Sequence, residues 1–546
     1  MVETGHHHQH PPAPAAAGPP PVSSMATSTG TTWTPAEQLH HLQYCIHSNP
    51  SWHETVVLAF QHYIVMLGTT VLIANTLVTP MGGDAEDKAR VIQTILFMSG
   101  INTLLQTLIG TRLPTVMGVS FAYVLPVLSI IRDYNDGQFQ TEKQRFRHTM
   151  RTVQGSLIIS SFVNIIIGYG QAWGNLIRIF SPIIVVPVVT LTSLGLFVRG
   201  FPLLANCVEI GLPMLILLIV TQQYLRHHLK RIQAILERYA LLVCLALIWA
   251  FAAILTVSGA YNNVSVATKQ SCRTDRSFLM SAAPWISIPY PFNGDSDIQS
   301  ESCFGMIGAA IVASAESTGV FFAASRLAGA TAPPAHVVSR SVGLQGVGVL
   351  LEGIFGSITG NTASVENVGL LGLTRIGSRR VVQISTGFMI FFAIFGKFGA
   401  FFASIPLPIF AAYCILLGIV AAVGISFIQF TDNNSMRNMY VIGVSLFLSL
   451  SIAQYFISNT TRAGYGPVRT AGGWFNDILN TIFASAPFVA IILATVLDNT
   501  LEARHAINER GILWWKPFQH RNGDNRNEEF YSFPLRVGEY IPTRFL

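Results

Sequence analysis

Long apolar runs recur along most of this 546-residue chain and constrain its fold more than any other feature. Several of them approach the roughly 20 residues with which an α-helix crosses a bilayer. Charged residues make up only 11% of the sequence, whereas ordinary soluble proteins carry roughly 25%. The sequence therefore predicts an all-α polytopic membrane protein and argues against a soluble one.

We predict about fourteen transmembrane segments, about seven on each side of a polar loop. The predicted spans cover about 56–77, 90–110, 116–131, 152–168, 176–198, 208–224 and 239–258 before the loop, and about 304–326, 344–359, 365–373, 381–398, 401–427, 440–456 and 478–497 after it. The chain then divides into an N-terminal tail (1–48), a first transmembrane repeat (49–260), an extracellular loop (261–302), a second transmembrane repeat (303–500) and a C-terminal tail (501–546).

The two tails differ from the membrane part in composition. The N-terminal tail is rich in Pro, Ala, Ser and His and lacks the apolar centre of a signal peptide, so we predict a disordered cytoplasmic segment. Its histidines could bind a metal, but a solvated low-complexity tract is favoured: His6, His7, His8 and His10. An even number of spans places both termini on one side, and the basic C-terminal tail favours the cytoplasm. The charges of the short loops do not decide the orientation.

The third segment of each half is short and interrupted. In the first half the break lies around Gly118-Val119-Ser120-Phe121, and in the second it lies in the stretch from Val365 to Arg375. Paired short segments at corresponding positions indicate a transporter site between repeats, and an odd number of spans per repeat makes the second repeat inverted. Unwound backbone at this depth must line a cavity or be buried in protein. A kinked packing helix is the alternative, and two broken segments in register disfavour it.

Glu316 and Glu366 place two carboxyl groups within apolar segments. A carboxylate at membrane depth is costly unless it is paired, protonated or functional. If the second repeat packs as a compact bundle, the two groups can face each other, so that one binds a solute and the other carries a proton. The alternative for each is a structural Glu bonded to Ser or backbone. Glu352 also lies in an apolar segment and could pair with a basic residue, which the sequence does not identify.

Other polar residues of the same segments are candidates for contact or support. Gln61 and His62 could position the site or bond between helices, and the structural role is at least as well supported. Phe121 could stack on a flat ligand, Ser120 beside it is a further candidate for substrate contact, and Asn367 could fix the loop or contact the solute. The remaining candidates are Val365 as a substrate contact, Gly369 as support, and Thr374 and Arg375 as gating residues. Asn102 and Gln106, one helical turn apart, are expected to bond between helices.

Several function classes lack their sequence patterns. We find no nucleotide-binding P-loop, metal-ligand spacing, Gly-x-Ser-x-Gly elbow or Asp-rich prenyltransferase motif. An ATP-driven pump and a resident cofactor are therefore disfavoured, which leaves an ion gradient as the expected energy source. The net charge of +6 does not indicate a nucleic-acid partner, because basic residues lie at segment ends and in the tails.

Two of the six cysteines bracket the polar loop. Cys272 and Cys303 could form a disulfide if that loop lies outside the cytoplasm, and the sequence leaves the pairing open. The other four are scattered, and we expect small packing residues at Cys45, Cys207, Cys244 and Cys414.

Four motifs resemble those of the nucleobase–ascorbate transporter family, also called nucleobase:cation symporter 2. The stretch Glu366-Asn367-x-Gly369-x-x-x-x-Thr374-Arg375 is similar to the family signature, in which Gln, Glu or Pro precedes Asn-x-Gly and Thr follows after four residues. The other three are Gln61-His62, which resembles a first-span pair, Gly118-x-Ser120-Phe121-Ala122, which resembles a third-span motif, and Ala315-Glu316-Ser317, which resembles the eighth-span Glu. The resemblance runs from about Asn49 to the C-terminus and is most similar to plant members.

The resemblance implies an architecture and a mechanism. Similar proteins have fourteen spans in two inverted seven-segment repeats, with spans one to four and eight to eleven in a core domain and the others in a gate domain that dimerises. Segments 3 and 10 contain short antiparallel strands. The base would lie between Glu316, Glu366 with Asn367, and Phe121. The core would slide against the gate like an elevator, and bases would move with protons or, in some animal members, sodium.

Two positions depart from the family pattern. Many fungal and animal members have Asp four residues after the eighth-span Glu, where this chain has Val320, which leaves the coupling ion open. Glu366 stands where xanthine and urate carriers often have Gln and animal ascorbate carriers have Pro. This favours uracil and purine bases over the ascorbate anion, because two carboxylates repel an anion unless one is protonated.

We therefore expect a proton-coupled symporter of nucleobases such as uracil, adenine, guanine and xanthine, with sodium coupling less favoured. It would work without a cofactor as a homodimer in the plasma membrane, with lipid around it, both termini in the cytoplasm and no nucleic-acid partner. An ascorbate or other organic-anion carrier of the same fold is the alternative. A membrane enzyme or a receptor is a remote one.

Overall fold

The helices of the first half form where the long apolar runs predict them. The computed structural model describes residues 39, 42–134, 139–225, 228, 232–275, 279–291, 300–461, 465–503, 510 and 530–533. The first-half elements are α1 (Trp52–Leu77), α2 (Ala85–Leu108), β1 (Met117–Val119), α3 (Val124–Asp133), α4 (Glu142–Tyr169), α5 (Ala172–Arg178), α6 (Pro182–Leu194), α7 (Phe201–Leu204), α8 (Val208–Ile219) and α9 (Gln233–Val257). Short 3-10 turns at Phe121–Tyr123, Phe197–Arg199 and Ala205–Cys207 join some of them.

The second half repeats the pattern of long helices around one short strand. Two short helices lie in the central loop, α10 (Val266–Cys272) and α11 (Leu279–Ala282). They are followed by α12 (Ser300–Leu327), α13 (Ala335–Phe355), β2 (Asn361–Ala363), α14 (Val365–Thr374), α15 (Arg379–Ile394), α16 (Gly396–Ala403), α17 (Leu407–Ala411), α18 (Ile415–Ser426), α19 (Met436–Ser458), α20 (Gly473–Phe483) and α21 (Ala486–Thr500).

Nine helices in the described part of the chain are long and apolar enough to cross a membrane, or up to 11 if each bent pair is one span. This confirms the polytopic helical membrane fold, while the fourteen segments and the inverted repeat stay predictions. The bent pairs are α15 with α16, at 104°, and α20 with α21, at 83°. The second bend interrupts the span predicted at 478–497, because Pro487 in the first turn of α21 starts a new helix there.

The two short strands form one antiparallel pair that joins the two halves. In register, Met117 lies opposite Ala363 and Val119 opposite Asn361. The pairing continues past the strands, because the Ser120 N–H donates to the Gly360 carbonyl at 3.0 Å. All six strand residues are buried. This confirms the antiparallel strands expected in segments 3 and 10.

Helices from the two halves interleave around the strands. Helix α13 packs along α4, α15 packs along α2 and α1, and α18 and α21 pack along α6. Between α4 and α13 the backbones come so close that a methyl group at Gly168 would lie 2.1 Å from the Gly343 nitrogen. Small residues at such crossings are typical of membrane helices, which gain association energy from close contact. The boundaries predicted for the repeats and tails remain predictions.

The disulfide differs from the one considered from sequence. Cys272 pairs with Cys207, with the two Cα atoms 5.6 Å apart, so the suggested Cys272–Cys303 bridge is wrong. The reason is that Cys272 ends α10, which packs against the 3-10 turn ending at Cys207. Cys303 instead lies buried in α12, where its thiol donates to the Ser156 hydroxyl at 3.8 Å. Cys207 is therefore a cross-link and not simply a packing residue.

A short piece of the C-terminal tail packs against the helices. Phe530 and Tyr531 are buried, and three arginines donate to consecutive carbonyls of this piece, with Arg379 bonding to Phe530, Arg340 to Tyr531 and Arg112 to Ser532. Most of the remaining tail at 501–546, most of the N-terminal tail at 1–48 with its four histidines, and parts of the loop at 261–302 lie outside the described residues.

Candidate functional site

The paired strands and the N-terminus of α14 border a cavity of about 430 Å³. Its lining comes from five parts of the chain that are far apart in sequence. The lining residues are Thr69, Gly118, Val119, Phe121, Thr192, Leu196, Arg199, Glu316, Thr362, Ala363, Ser364, Val365 and Glu366. The structure thus brings together four candidates predicted from sequence, Phe121, Glu316, Val365 and Glu366.

Glu366 is held in the first turn of α14 by the residue that caps the helix. The Ser364 hydroxyl accepts the Asn367 N–H at 3.3 Å and donates to Glu366 Oε2 at 3.1 Å. A serine at this position satisfies a helix N–H that would otherwise lack a partner. The Glu366 side chain is half-buried, so one carboxylate oxygen is fixed while the group still borders the cavity.

Asn367 and His62 connect α14 to α1 behind the cavity. Both are buried, and His62 Nδ1 lies 3.0 Å from Asn367 Oδ1. Because Asn367 uses its Nδ2 to donate to the Ser364 hydroxyl at 3.0 Å, its Oδ1 is the acceptor and His62 Nδ1 carries the proton. The pair positions the helix that carries Glu366 and does not line the cavity. Gln61 has a similar place, since its Nε2 donates to the Arg238 carbonyl at 2.8 Å.

Glu316 reaches the cavity from α12, which is docked against strand β2. The Ser317 hydroxyl accepts the Ala363 N–H at 3.0 Å and lies 3.0 Å from the Thr362 hydroxyl. These bonds fix the position of Glu316, the neighbouring residue, beside the strand. Its side chain is half-buried and close enough to Arg199 and Glu366 for their charges to act on it.

Arg199 is the site residue that the sequence did not reveal. Its guanidinium lies over the Phe121 ring, 3.1 Å from the ring centroid, and the charges of Glu366 and Glu316 act on it. Such stacking of a cation on a ring is worth about 0.5–2 kcal/mol. The residue lies one position beyond the predicted span at 176–198, where a basic residue looks like an ordinary segment end.

Phe121, Arg199 and Glu366 also border a second cavity, of about 480 Å³. Apolar residues supply most of its other walls, among them Leu72, Leu203, Leu407 and Phe410. With Thr69, which also lines both cavities, these residues form a partition between the two spaces. Arg199 Nη1 is buried and has no hydrogen-bond partner among the residues that the structure describes.

The other predicted residues lie near the cavity or beyond it. Ser120 is fully buried next to Phe121. A methyl group at Gly369 would lie 2.5 Å from the Leu416 carbonyl oxygen, so this glycine allows α14 to approach α18. Thr374 donates to the Leu370 carbonyl at 2.8 Å, and Arg375 ends α14 in a left-handed conformation with φ of 58°. Both lie at the far end of the helix from Glu366.

The site combines two carboxyl groups, one guanidinium and one aromatic ring. When all three charged groups are ionised, the site carries a net negative charge. Such a charge suits a solute with N–H donors, or a site that also takes up a proton. No metal-binding cluster coincides with this cavity among the described residues. One grouping elsewhere, Cys207, Glu209 and Cys272, has two of its three ligands in the disulfide.

The chain matches one family model and several known relatives. A family model described as a permease family matches residues 53–458. Nucleobase-ascorbate transporter 3 of Arabidopsis thaliana is 88% identical over 100% of both chains, and nucleobase-ascorbate transporter 2 of the same plant is 54% identical over 93% of this chain and 97% of its own. Among solved structures, the transmembrane domain of the cyanobacterial bicarbonate transporter BicA aligns with 75% of this chain and 99% of its own, at 12% identity and a TM-score of 0.44.

Proposed function

This chain belongs to the nucleobase–ascorbate transporter family of permeases, and on that premise we propose that it is a proton-coupled symporter of nucleobases. Its place as a multi-pass membrane transporter follows from the family and the apolar helices. The observation that carries the finer proposal is the cavity lined by one aromatic ring and two carboxyl groups, Phe121, Glu316 and Glu366.

The chemistry of the cavity fits a flat heterocycle with N–H donors along its edges. Carboxylate oxygens accept such donors in charge-assisted hydrogen bonds. An aromatic ring stacks on a base with about 1–3 kcal/mol, largely independent of which base it is. In the proposed complex, Glu316 and Glu366 accept from the edges of the base, and the Phe121 ring covers its face. The volume of about 430 Å³ lies in the range of small-molecule pockets.

Arg199 favours a second candidate, an organic anion such as ascorbate. Its unpartnered Nη1 offers a donor and a positive charge at the partition. We rank this candidate lower because the same cavity presents two carboxyl groups, which repel an anion unless a proton neutralises one of them. A competition assay with bases and ascorbate separates the two candidates.

We further propose that the protein transports by an elevator movement and forms a homodimer in the plasma membrane. The site is supported by parts from different helix groups, since the Arg199–Phe121 contact joins the turn after α6 to the strand pair. Sliding of one group past the other would break and remake that contact.

Large apolar side chains on the outer helices, such as Phe447 and Ile254, are exposed and suit lipid or a second copy. The Cys207–Cys272 bridge supports a central loop outside the cytoplasm and both termini inside, because disulfides persist in oxidising compartments.

Uptake of radiolabelled bases into proteoliposomes tests the proposal. The purified full chain should accumulate labelled uracil, adenine or xanthine when the outside is acidic and sodium is absent. Unlabelled bases should compete strongly, and ascorbate weakly. The variants Glu316→Gln and Glu366→Gln should reduce uptake by about tenfold or more, since each removes a charge-assisted bond worth about 1.5–3 kcal/mol.

A matched control is Glu86→Gln, which removes a carboxylate from an exposed ion pair with Arg90 on α2. It should transport as the native chain does. Native uptake by both Glu316→Gln and Glu366→Gln would exclude these two groups from the site. Accumulation driven by sodium at equal pH would overturn the proton coupling, and strong competition by ascorbate would favour the anion carrier.

A further inference from the structure

Three arginines meet at the ends of three helices and hold the short C-terminal piece at 530–533. Arg112 lies in the turn after α2, Arg340 lies in the second turn of α13, and Arg379 is the first residue of α15. Arg340 and Arg379 are only 6% and 8% exposed. The three residues are far apart in sequence, and each of them donates a hydrogen bond to the C-terminal piece. Together they form what we term the arginine site.

The arginine site binds the backbone of this piece. Arg379, Arg340 and Arg112 donate, in that order, to the three consecutive carbonyls of Phe530–Ser532. The first two of these bonds measure 3.1 and 3.0 Å. Main-chain hydrogen bonds of this kind give affinity for an extended peptide, whereas pockets for its side chains give specificity.

Two side chains of the same piece occupy such pockets. The Phe530 ring stacks on the His47 ring, with the centroids 5.4 Å apart, and the Tyr531 hydroxyl donates to the Thr331 carbonyl. Phe530 and Tyr531 are only 3% and 2% exposed, whereas Ser532 is exposed. The piece therefore lies in the protein as a bound peptide does, with two aromatic anchors and a serine that faces outward.

The charge of the arginine site is complementary to the sequence of the tail. In the part of the chain that is described, the side-chain hydrogen bonds of Arg112, Arg340 and Arg379 all end on backbone carbonyls and none ends on a carboxylate. The charge of Arg112 also acts on both other arginines. Buried like charges are costly unless acceptors or counter-charges offset them. In the sequence, Glu528-Glu529 directly precedes the bound piece, so a peptide from this region carries the charge that the site lacks.

The arginine site also holds the turn that leads to strand β1. Arg340 donates to the Gly110 carbonyl from Nε at 3.1 Å and from Nη2 at 2.7 Å, and Arg379 Nε donates to the Arg112 carbonyl. Arg112 itself has a left-handed backbone with φ of 60°. Residues other than glycine rarely adopt this conformation, and the surrounding contacts must maintain it. The bonds of the C-terminal piece to the arginine site are among those contacts.

The same turn reaches the cavity within a few residues. The Val116 carbonyl, immediately before β1, accepts the Ser364 N–H at 2.8 Å. Ser364 caps α14 and donates to the carboxylate of Glu366. Residues of β1 line the cavity directly. A peptide that fixes the backbone at Arg112 therefore also supports both strands of the cavity wall.

We propose that the arginine site is a peptide-binding site whose ligand is segment 527–534 of the same chain, and that its occupation holds the cavity wall in the conformation that binds the solute. The sequence of this segment is Asn527-Glu528-Glu529-Phe530-Tyr531-Ser532-Phe533-Pro534. Residues 501–529 separate the bound piece from the end of α21. A connection of this length does not by itself fix the position of residue 530, so the contacts of the segment decide whether it is bound. The effect on solute binding rests on the proposed function, whereas peptide binding does not.

Peptide binding is tested first, on the full chain with both aromatic anchors removed. The double variant Phe530→Ala/Tyr531→Ala keeps all three arginines and should leave their site open. A fluorescein-labelled synthetic peptide of residues 527–534 should bind this variant saturably in detergent, measured by fluorescence anisotropy. The native chain should bind the peptide at least tenfold more weakly, because its own segment competes at a high effective concentration.

Matched variants show which contacts the peptide uses. Addition of Arg112→Gln to the double variant should weaken peptide binding by about tenfold or more, because a charge-assisted hydrogen bond is lost. Addition of Arg90→Gln should not, since Arg90 lies on α2 in an exposed ion pair with Glu86. A peptide with Ser532→Ala should bind as the native peptide does, because Arg112 bonds to the carbonyl and not to the hydroxyl.

Transport tests the connection to the cavity. In proteoliposomes, the double variant should have a KM for labelled uracil or xanthine at least fivefold above that of the native chain. Peptide supplied on both sides of the membrane should return this KM toward the native value. It should not do so when Arg112→Gln is also present. If the double variant does not elute as a single peak in size-exclusion chromatography, Tyr531→Phe replaces it, with about a threefold effect in the same direction, because it loses only the bond to Thr331.

The outcomes separate the peptide site from the proposed function. Failure of the peptide to bind the open variant, or equal binding after Arg112→Gln, would overturn the site. Binding that leaves KM unchanged would overturn its connection to the cavity. If the native chain transports no base while the peptide binds as expected, the proposed function falls and the peptide site stands.

Discussion

The two broken segments, one in each half, share one plan and differ in how tightly their polar groups are bonded. Each has a three-residue strand followed by a serine, Ser120 after β1 and Ser364 after β2. Ser364 caps α14 and bonds to both Glu366 and Asn367. Ser120 caps nothing, and its hydroxyl has no partner in the described structure, although the residue is fully buried.

The two segments therefore contribute different groups to the cavity, one a hydrogen-bonded carboxylate and the other an aromatic ring. The second segment holds a carboxylate in a fixed direction through a chain of bonds from Ser364 to Asn367 and His62. The first supplies the Phe121 ring, which is held by packing and by the Arg199 guanidinium. We therefore expect changes in and beside the second segment to cost more stability and transport than matched changes in the first.

The largest expected effect is at Gly360, which precedes β2, compared with Gly118 in β1. A methyl group at Gly360 would lie 2.5–2.7 Å from atoms of the buried Tyr123 ring, which has no space to move. At Gly118 the nearest atoms, also at 2.5–2.7 Å, are the sulfur and methyl group at the end of Met66, a flexible side chain. Gly360→Ala should lower stability by about 3 kcal/mol or more and Gly118→Ala by about 1 kcal/mol.

Thermal unfolding of the purified variants, followed by size-exclusion chromatography in detergent, measures this difference. Equal losses at the two glycines would show that the strands respond alike. A larger loss at Gly118 would reverse the comparison.

The next effect concerns the pair that holds α14 to α1. His62→Leu leaves the Asn367 oxygen buried without its donor, and a buried group deprived of its partner costs about 1–3 kcal/mol. Asn367→Ala should cost a similar amount and also free Ser364. The loss of stability in the double variant should be smaller than the sum of the two single losses, because both single variants remove the same His62–Asn367 bond. Additive losses in thermal stability and uptake would show that the pair does not act as a unit.

The sequence predicted the parts of the site that carry a local pattern. Glycines and serines marked the two breaks, Glu316 and Glu366 stood out as charges in apolar segments, and Phe121 was identified by its place at a break. The bonding between helices expected for Asn102 and Gln106 is confirmed, since they donate to Glu352 and to the Ser341 carbonyl.

The remaining features depend on contacts that cross the chain. Arg199 has no local mark, because its partner Phe121 is distant in sequence and a basic residue after an apolar run usually faces water. The partner of Cys272 was set by the packing of α10 and not by the loop that it bounds. The partners of Glu352 are uncharged amides, so a search for a balancing charge along the sequence could not find them.

A smaller effect is expected at the ring and its cation in the first segment. Phe121→Leu keeps an apolar side chain but removes the ring face, so KM for uracil or xanthine should rise by about tenfold while surface expression stays native. Arg199→Gln removes the charge and should weaken inhibition by ascorbate more than inhibition by a neutral base. The measurement is competition against one labelled base, with inhibition constants for both classes. Equal shifts for the anion and the neutral base would show that Arg199 does not select by charge.

The smallest effect separates the two serines themselves. Ser364→Ala removes a helix cap and the bond to Glu366, which should cost about 1 kcal/mol of stability and reduce uptake. Ser120→Ala removes a hydroxyl without a partner and should change stability by less than about 0.5 kcal/mol. Because both serines follow a three-residue strand and both substitutions remove the same atom, each serves as the other's control. If Ser120→Ala leaves stability unchanged but raises KM severalfold for every base, the unused hydroxyl bonds to the substrate, and the first segment contributes a polar contact as well as a ring.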